Sequence, residues 1–430
     1  MNDMGAKVHN KELVIRSGTE KTLPCVHVAM LGARMHYAVP TILERAGFLR
    51  RFYTDIYLGN KPWLKHFLNI LPKRQWAITL QRLCGRIAEG IPPEKVVSFD
   101  FFGMWYWWNT RGIRSYKDMI TLYAKANRIF GEHVVKHGLP GASGVYGFNG
   151  ASLEIFRFAK QKGITCILEQ TLAPRRIEKK LLNEEINRWP EWQPGLTFED
   201  ESDHDLLAER ETAEWTLADV IIGGSSFVTD GLHSLGVDSE KCKVVPYGVE
   251  AERFSFTKKN RSSELNILFI GEVGLRKGVP YLLEVLRHLN SRRIKARLVG
   301  PVVISPRILA DYSRWCEVVG PMSRSHIQEF YQWADIFVFP SICEGSATVI
   351  YEALASGLPV ITTPNTGSVV RDSLDGFVVP IRDIEAIKEK IVIVQENNTL
   401  LKMSEAAKGR AQEFTWERYS QRLLEVFHEF

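Results

Sequence analysis

The sequence predicts an α/β protein built from two parallel-sheet domains, each wound by helices on both faces of its sheet. Two observations carry this. Short apolar runs that suit buried strands alternate with helical stretches through both halves of the chain. A polar, basic stretch, Thr257-Lys258-Lys259-Asn260-Arg261-Ser262-Ser263, interrupts that alternation where an interdomain linker would fall. At 430 residues the chain is long enough for two separate cores.

The elements follow in order. Val26 to Leu31 is the first credible strand, and it runs into Gly32-Ala33-Arg34 and a helical stretch from His36 to Ala46. A strand, a glycine and a helix make the first turn of a Rossmann-like half, where glycine lets a ligand or a neighbouring backbone come close. The G-x-G-x-x-G dinucleotide fingerprint is absent, which argues against a dehydrogenase. Gly144 to Phe148 reads as a strand, Ala151 to Lys162 as a helix and Ile164 to Leu168 as a strand. Ala218 to Ile222 is another strand, after which Ser225 or Ser226 can cap a helix that Gly236 ends. The second half restarts at Leu265 to Ile270 and alternates through Arg297 to Gly300, Cys316 to Val319 and Phe337 to Phe339. Tyr419, Leu423 and Phe427, four apart, mark a closing amphipathic helix. The expected division is a leader at 1–22, disordered, then domains at 23–254 and 255–412, and a helix at 413–430 that crosses back to the first domain.

Composition narrows the function. A hydrophobic fraction of 45% and a charged fraction of 24% are those of an ordinary globular protein. A net charge of +5 is small for this length and argues against a nucleic-acid binder. The six cysteines are scattered with no metal-ligand spacing, so they read as reduced core thiols of a cytoplasmic protein. The polar N-terminus lacks the apolar core of a signal peptide. No run approaches the ~18 apolar residues of a membrane span.

The most informative stretch is Phe337 to Pro380. Pro340-Ser341 closes a strand, Glu344-Gly345-Ser346 opens a helix that carries Glu352 about two turns in, and Gly357-Leu358-Pro359 ends it before the next strand. A loop at the carboxyl end of a parallel strand that feeds a helix N-terminus is where α/β proteins bind ligands, and its free N–H groups favour anions. Glu344 and Glu352, eight positions apart, can reach different hydroxyl groups of one elongated polar ligand. The spacing alone is weak, since many helices carry two such glutamates. The second signal is Ile270-Gly271-Glu272-Val273-Gly274-Leu275-Arg276-Lys277-Gly278, a loop between strand and helix. Its adjacent cations can neutralise a diphosphate and stabilise its departure. Standing alone, it would read as a solvated basic loop.

The Glu344-x7-Glu352 unit, followed by Gly357-Leu358-Pro359-Val360, resembles the donor-binding segment of the family 4 retaining glycosyltransferases. The loop at 271–278 is similar to that family's G-R-L-x-x-x-K-G loop through Gly271, Lys277 and Gly278, but Glu272 stands where the family usually has Arg. Arg276 is expected to supply the missing charge, with Glu272 pointing elsewhere. Ser346 and Ala347 also depart from the family's usual Phe and Gly. The resemblance extends from about residue 210 to the C-terminus.

It implies a GT-B architecture, with an acceptor domain at 23–254 and a donor domain at 255–412. The implied reaction is retaining transfer of a sugar from a nucleotide-diphosphate sugar, UDP- or GDP-linked, to a glycan or lipid-linked acceptor in polysaccharide or glycoconjugate synthesis. Lys277 and Arg276 would hold the diphosphate, Glu344, Gly345 and Ser346 would meet the sugar, Glu352 the ribose, and Ala347 and Thr348 would border the donor. Gly32 and Gly271 would allow close approach, and Gly320-Pro321 would touch the nucleobase. No cofactor beyond the donor and no metal is expected, because the cations replace it. The competing readings are a catalytically weak nucleotide-sugar-binding or scaffold protein, suggested by Glu272, and a nucleotide-sugar epimerase on the same fold.

The first half is less legible. Many family members carry a histidine near the reacting sugar, and at the matching stretch this chain has Glu169 and Gln170, which could replace it or be solvated groups of a strand exit. The aromatic run Phe101 to Trp108 is expected to be mainly core, with sugar stacking or a membrane interface as alternatives. Residues 61–86 interleave aromatic and basic side chains and suit either a packed surface helix or a peripheral contact with the inner face of a membrane. Tyr53-Thr54-Asp55 carries no reading from sequence.

Overall fold

The computed structural model describes residues 24–61, 86–88, 90–113, 115–196, 201–254, 264–324, 326–395 and 397–429. The leader, the linker stretch and most of the basic-aromatic stretch at 61–86 lie outside them.

The first half contains β1 (Val26–Met30), β2 (Leu49–Thr54), β3 (Val96–Ser98), β4 (Gly144–Phe148), β5 (Thr165–Gln170), β6 (Val220–Gly223) and β7 (Cys242–Val244). The second contains β8 (Leu265–Ile270), β9 (Ile294–Val299), β10 (Cys316–Gly320), β11 (Ile336–Phe339), β12 (Val360–Thr362) and β13 (Gly376–Val378). They form two parallel sheets, one ordered β3-β2-β1-β4-β5-β6-β7 and the other β10-β9-β8-β11-β12-β13. The central strands are near-continuous apolar runs because helices cover both faces. Every residue of β1, β4 and β11 is buried.

In each sheet the strand order reverses once, between β1 and β4 and between β8 and β11. The loops leaving the two strands at such a point diverge to opposite faces and open a crevice at the carboxyl ends. The loops after β8 and β11 are those carrying Arg276, Lys277 and Glu344.

Two of the segments that join the halves are extensive. Helix Arg175–Arg188 and the turns after it belong to the first half but dock on the second. Tyr281 donates to Glu185 at 2.8 Å, Arg382 pairs with Glu184 and Glu185 at 2.6 and 2.5 Å, and Leu275 N–H donates to Gln193 at 3.0 Å. Trp189, Trp192 and Tyr281 pack edge to face beneath these contacts. The closing helix, Trp416–His428, returns to the first half as expected. Its buried face sets Phe427 against Phe48 and Tyr146, and Tyr419 against Tyr247.

Three local expectations are corrected. The stretch expected as helix from His36 starts instead with Met35, His36 and Tyr37 in left-handed conformation (φ 43°, 52° and 63°), and regular helix begins at Ala38. Ser225 stands at the N-cap position of helix Ser226–Ser234 but does not cap it. Its hydroxyl is committed to the Gly345 carbonyl of the other half. Third, the aromatic run at 101–108 forms helix Asp100–Thr110, but only Phe102 and Gly103 of it are buried. Phe101 and Trp108 are 87% and 66% exposed, so this helix is core on one side only.

Candidate functional site

The β8 loop is held against the β11 exit by a backbone contact that only glycine permits. Gly278 takes φ +67°, and a Cβ there would lie 1.9 Å from the Pro340 carbonyl oxygen. Beside it, the Arg276 carbonyl accepts from Ile342 N–H at 2.9 Å and from Ser341 Oγ at 3.0 Å. Gly278→Ala should therefore cost about 1–3 kcal/mol, the scale of forced overpacking, and lower Tm. An unchanged Tm would show that the loop contact is dispensable.

This clamp brings Arg276, Lys277 and Glu344 together. Glu344 is 7% exposed. Its Oε1 accepts from Arg276 Nη1 at 3.1 Å, from Ser341 Oγ at 3.1 Å and from Lys277 Nζ in a closer ion pair. Burial alone would raise the Glu344 pKa, but Lys277 and then Arg276 outweigh it and hold the carboxyl below its ordinary range. Burial lowers the Lys277 pKa despite Glu344 beside it. For Arg276, burial opposes the charge, and Glu344 together with Glu178 and Glu272 outweighs it, so its pKa is raised. The arrangement is a buried anion shared by two cations, each of which keeps donor hydrogens for a second anion.

Glu272 pairs with no cation among the described residues, yet its charge reaches both Arg276 and Lys277 more weakly than that of Glu344. It is half-buried beside Gly274, so it lies near the cations without touching them. From the first half, Glu178 is a second anion felt by Arg276.

The helix after β11 begins later than the sequence suggested. It runs Thr348–Ala355, with Ala347 at its N-cap and no side chain capping it. Glu352 is consequently one turn in rather than two. Its Oε2 accepts from Tyr331 at 2.8 Å. Burial raises its pKa, and Tyr331 and Arg324 only partly offset that. Arg324 in turn contacts His36 from the left-handed run after β1, so the first half reaches the surroundings of Glu352.

Gly345 and Ser346 sit where the halves touch. A Cβ on Gly345 would lie 1.9 Å from the Thr171 carbonyl oxygen, and the Ser346 Cβ approaches Gly224. Ser346 Oγ and Tyr351 OH are 2.8 Å apart. Thr348 is exposed at the helix start. Gly271, which follows β8, and Gly320, which ends β10, lie at the carboxyl edge of the same sheet, with β9 between their strands. Pro321 beside Gly320 is exposed. Gly32 lies across in the first half, its N–H donating to Asp55 at 3.1 Å.

Glu169 and Gln170 are not strand-exit groups. Both lie inside β5, essentially unexposed, and both are spent on structure. Glu169 accepts from Tyr146 and Tyr247 at 2.7 and 3.1 Å. Gln170 donates to Glu211 at 2.7 Å and accepts from Trp215 at 3.0 Å. The side chains that do line the β1 and β5 exits are Arg34, which donates to Thr171 Oγ1 at 2.8 Å, and Arg175, which pairs with Glu178 at 2.9 Å. Asp55, just past β2, is buried and paired with Arg86 at 2.5 Å. The available signal was position, a charged residue just past a strand. Among the described residues no three His, Cys, Asp or Glu side chains gather as a metal site.

Comparison with known proteins places these elements. Residues 264–397 match the family described as Glycosyl transferases group 1. The putative colanic acid biosynthesis glycosyltransferase WcaL of Escherichia coli is 25% identical over 197 residues, covering 42% of this chain and 48% of that protein. A UDP-Gal:alpha-D-GlcNAc-diphosphoundecaprenol alpha-1,3-galactosyltransferase, also of Escherichia coli, is 24% identical over 199 residues, covering 42% of this chain and 51% of that one. The chain spans about half the length of the curated relatives it matches. Among solved structures, sucrose-phosphate synthase from Thermosynechococcus elongatus superimposes with a TM-score of 0.64 at 15% identity, covering 94% of this chain and 98% of that one. Anabaena HepE in complex with UDP-glucose gives 0.58 at 13% identity, covering 94% and 99%. The chain has the GT-B fold, and its residues 264–397 are similar to the group 1 glycosyl transferases.

Proposed function

We propose that the protein is a retaining glycosyltransferase that moves a sugar from a nucleotide-diphosphate sugar to an acceptor hydroxyl. The observation that carries this is the Arg276–Lys277–Glu344 cluster at the switch point of the second sheet. In this reading the diphosphate binds Lys277 and Arg276, which share its charge with Glu344 and stabilise the charge that builds as it leaves. These cations take the place of a metal. Glu344, kept ionised by the same cations, accepts hydrogen bonds from the sugar hydroxyls. Gly345, Ser346 and Thr348 offer the sugar backbone N–H groups, while Ala347, whose N–H donates to the Thr366 carbonyl at 3.1 Å, borders it with its methyl. Glu352 takes the ribose with the oxygen that Tyr331 leaves free, and Gly320-Pro321 border the base. Arg34 and Arg175 stand on the acceptor side. A glycan or lipid-linked acceptor is supported by the names of the relatives, one of which acts on a diphosphoundecaprenol-linked sugar. A cytoplasmic site of action fits both such an acceptor and the donor.

A thermal-shift screen of nucleotide sugars tests the reading, because a ligand that binds only the native state raises Tm. One of the UDP- or GDP-sugars should stabilise the protein, and transfer to acceptor should follow with it. Binding without transfer would favour the weak-binder reading that Glu272 suggests. In Glu352→Ala, nucleoside-diphosphate affinity should fall by about 10-fold, the worth of a charged hydrogen bond. A 2′,3′-dideoxy nucleotide should bind wild type and variant alike. Equal loss for both nucleotides would remove the ribose role.

A further inference from the structure

Helix Asp100–Thr110 has an apolar face that nothing in the described structure covers. Phe101, Met104 and Trp108 recur at i, i+3 and i+7, which puts them in one stripe, and Trp107 flanks it. They are 87%, 49%, 66% and 38% exposed, respectively. The opposite face anchors the helix firmly. Phe102 stacks on Tyr106 and packs on Phe130, and a Cβ on Gly103 would collide with Ile56. The exposed side is therefore a rigid platform and no frayed end.

Cations frame this platform. The Arg111 guanidinium lies 3.5 Å from the Trp107 ring centroid, and Lys125 lies 5.4 Å from that of Trp105. Asp100, at the start of this helix, is paired with Lys61 at 2.8 Å, and Asp118, in the helix Tyr116–His137 that also carries Lys125, accepts from the Ser115 hydroxyl at 2.7 Å. The chain leaves the described structure just after Lys61, at the foot of this helix, and the sequence from 62 to 85 holds four Lys or Arg residues and no carboxylate.

We propose that helix Asp100–Thr110 docks the protein on an anionic lipid bilayer, with Phe101, Met104 and Trp108 entering the interface and Arg111 and Lys125 on the headgroups. Tryptophan and phenylalanine beside arginine and lysine is the chemistry of a lipid interface, where rings sit at headgroup depth and cations meet lipid phosphates. A second copy of the chain fits less well, because it would bring a patch of the same charge to face this one. The docking stands apart from the transfer reading, since it is measured with neither donor nor acceptor.

The test is co-sedimentation of the full chain with vesicles of phosphatidylglycerol and phosphatidylcholine, against phosphatidylcholine alone. Wild type should bind the anionic vesicles, and rising salt should weaken the binding as screening shortens the reach of the cations. The surface variant Phe101→Ser with Trp108→Ser should bind at least ~10-fold more weakly, the loss expected when two inserted rings are removed. Its Tm should match that of wild type. Equal vesicle binding by variant and wild type would overturn the proposal. So would a wild type that ignores anionic vesicles, including one that instead forms a dimer which the same two substitutions abolish.

Discussion

Glu344→Ala should lower turnover by ~100-fold or more, the scale of a lost contact that strengthens in the transition state. Nucleoside-diphosphate affinity should not fall with it. The carboxylate sits on the two cations proposed for the diphosphate, so its removal frees their hydrogens for phosphate. Glu344→Gln keeps the side-chain shape and the Ser341 contact, and it separates loss of charge from local collapse. Both variants should lose turnover. Steady-state kinetics together with nucleotide titration reads this split. Near-normal turnover in the glutamine variant would remove Glu344 from the chemistry.

Lys277→Ala should have the next largest effect, and of a different kind. A charge-assisted phosphate contact contributes about 1.5–3 kcal/mol, so nucleoside-diphosphate affinity should fall by about 10- to 150-fold. Turnover should fall too, because the same charge meets the departing diphosphate. Lys277 is also the larger electrostatic support of the Glu344 carboxylate, so the variant leaves that group on Arg276 alone. Arg276→Ala should resemble Lys277→Ala if Arg276 replaces the arginine that Glu272 displaced. An Arg276→Ala protein with wild-type affinity, together with a Glu272→Arg protein of higher activity, would show a degraded site with no compensation.

The second half was legible in the sequence because its signals are local. A buried parallel strand is a short apolar run, and Phe337-Val338-Phe339 announces one without help from the rest of the chain. The residues now gathered around Glu344 come from two loops whose strands sit side by side, and the order of strands and glycines already placed both at carboxyl ends. The first half was less legible for physical reasons. β2 carries Arg50 and Arg51 inside Leu49–Thr54, which breaks the apolar run, and Arg50 faces solvent near the edge of the sheet. Tertiary partners set the rest. Glu169 looks like a catalytic candidate in sequence and becomes structural only when Tyr146 and Tyr247 close on it. Ser225 looks like a helix cap until Gly345 arrives from the other half. The aromatic helix at 100–110 reads as core from composition, and its exposure depends on what packs beside it.

The central claim is that Arg276 and Lys277 bind a nucleoside diphosphate directly. Calorimetric titration of the intact protein with UDP and GDP, in buffer containing EDTA, tests it most simply. The account predicts saturable binding of one of the two at a single site, undiminished by the chelator. Binding that appears only when a divalent cation is restored, or no binding of either nucleotide, would contradict it.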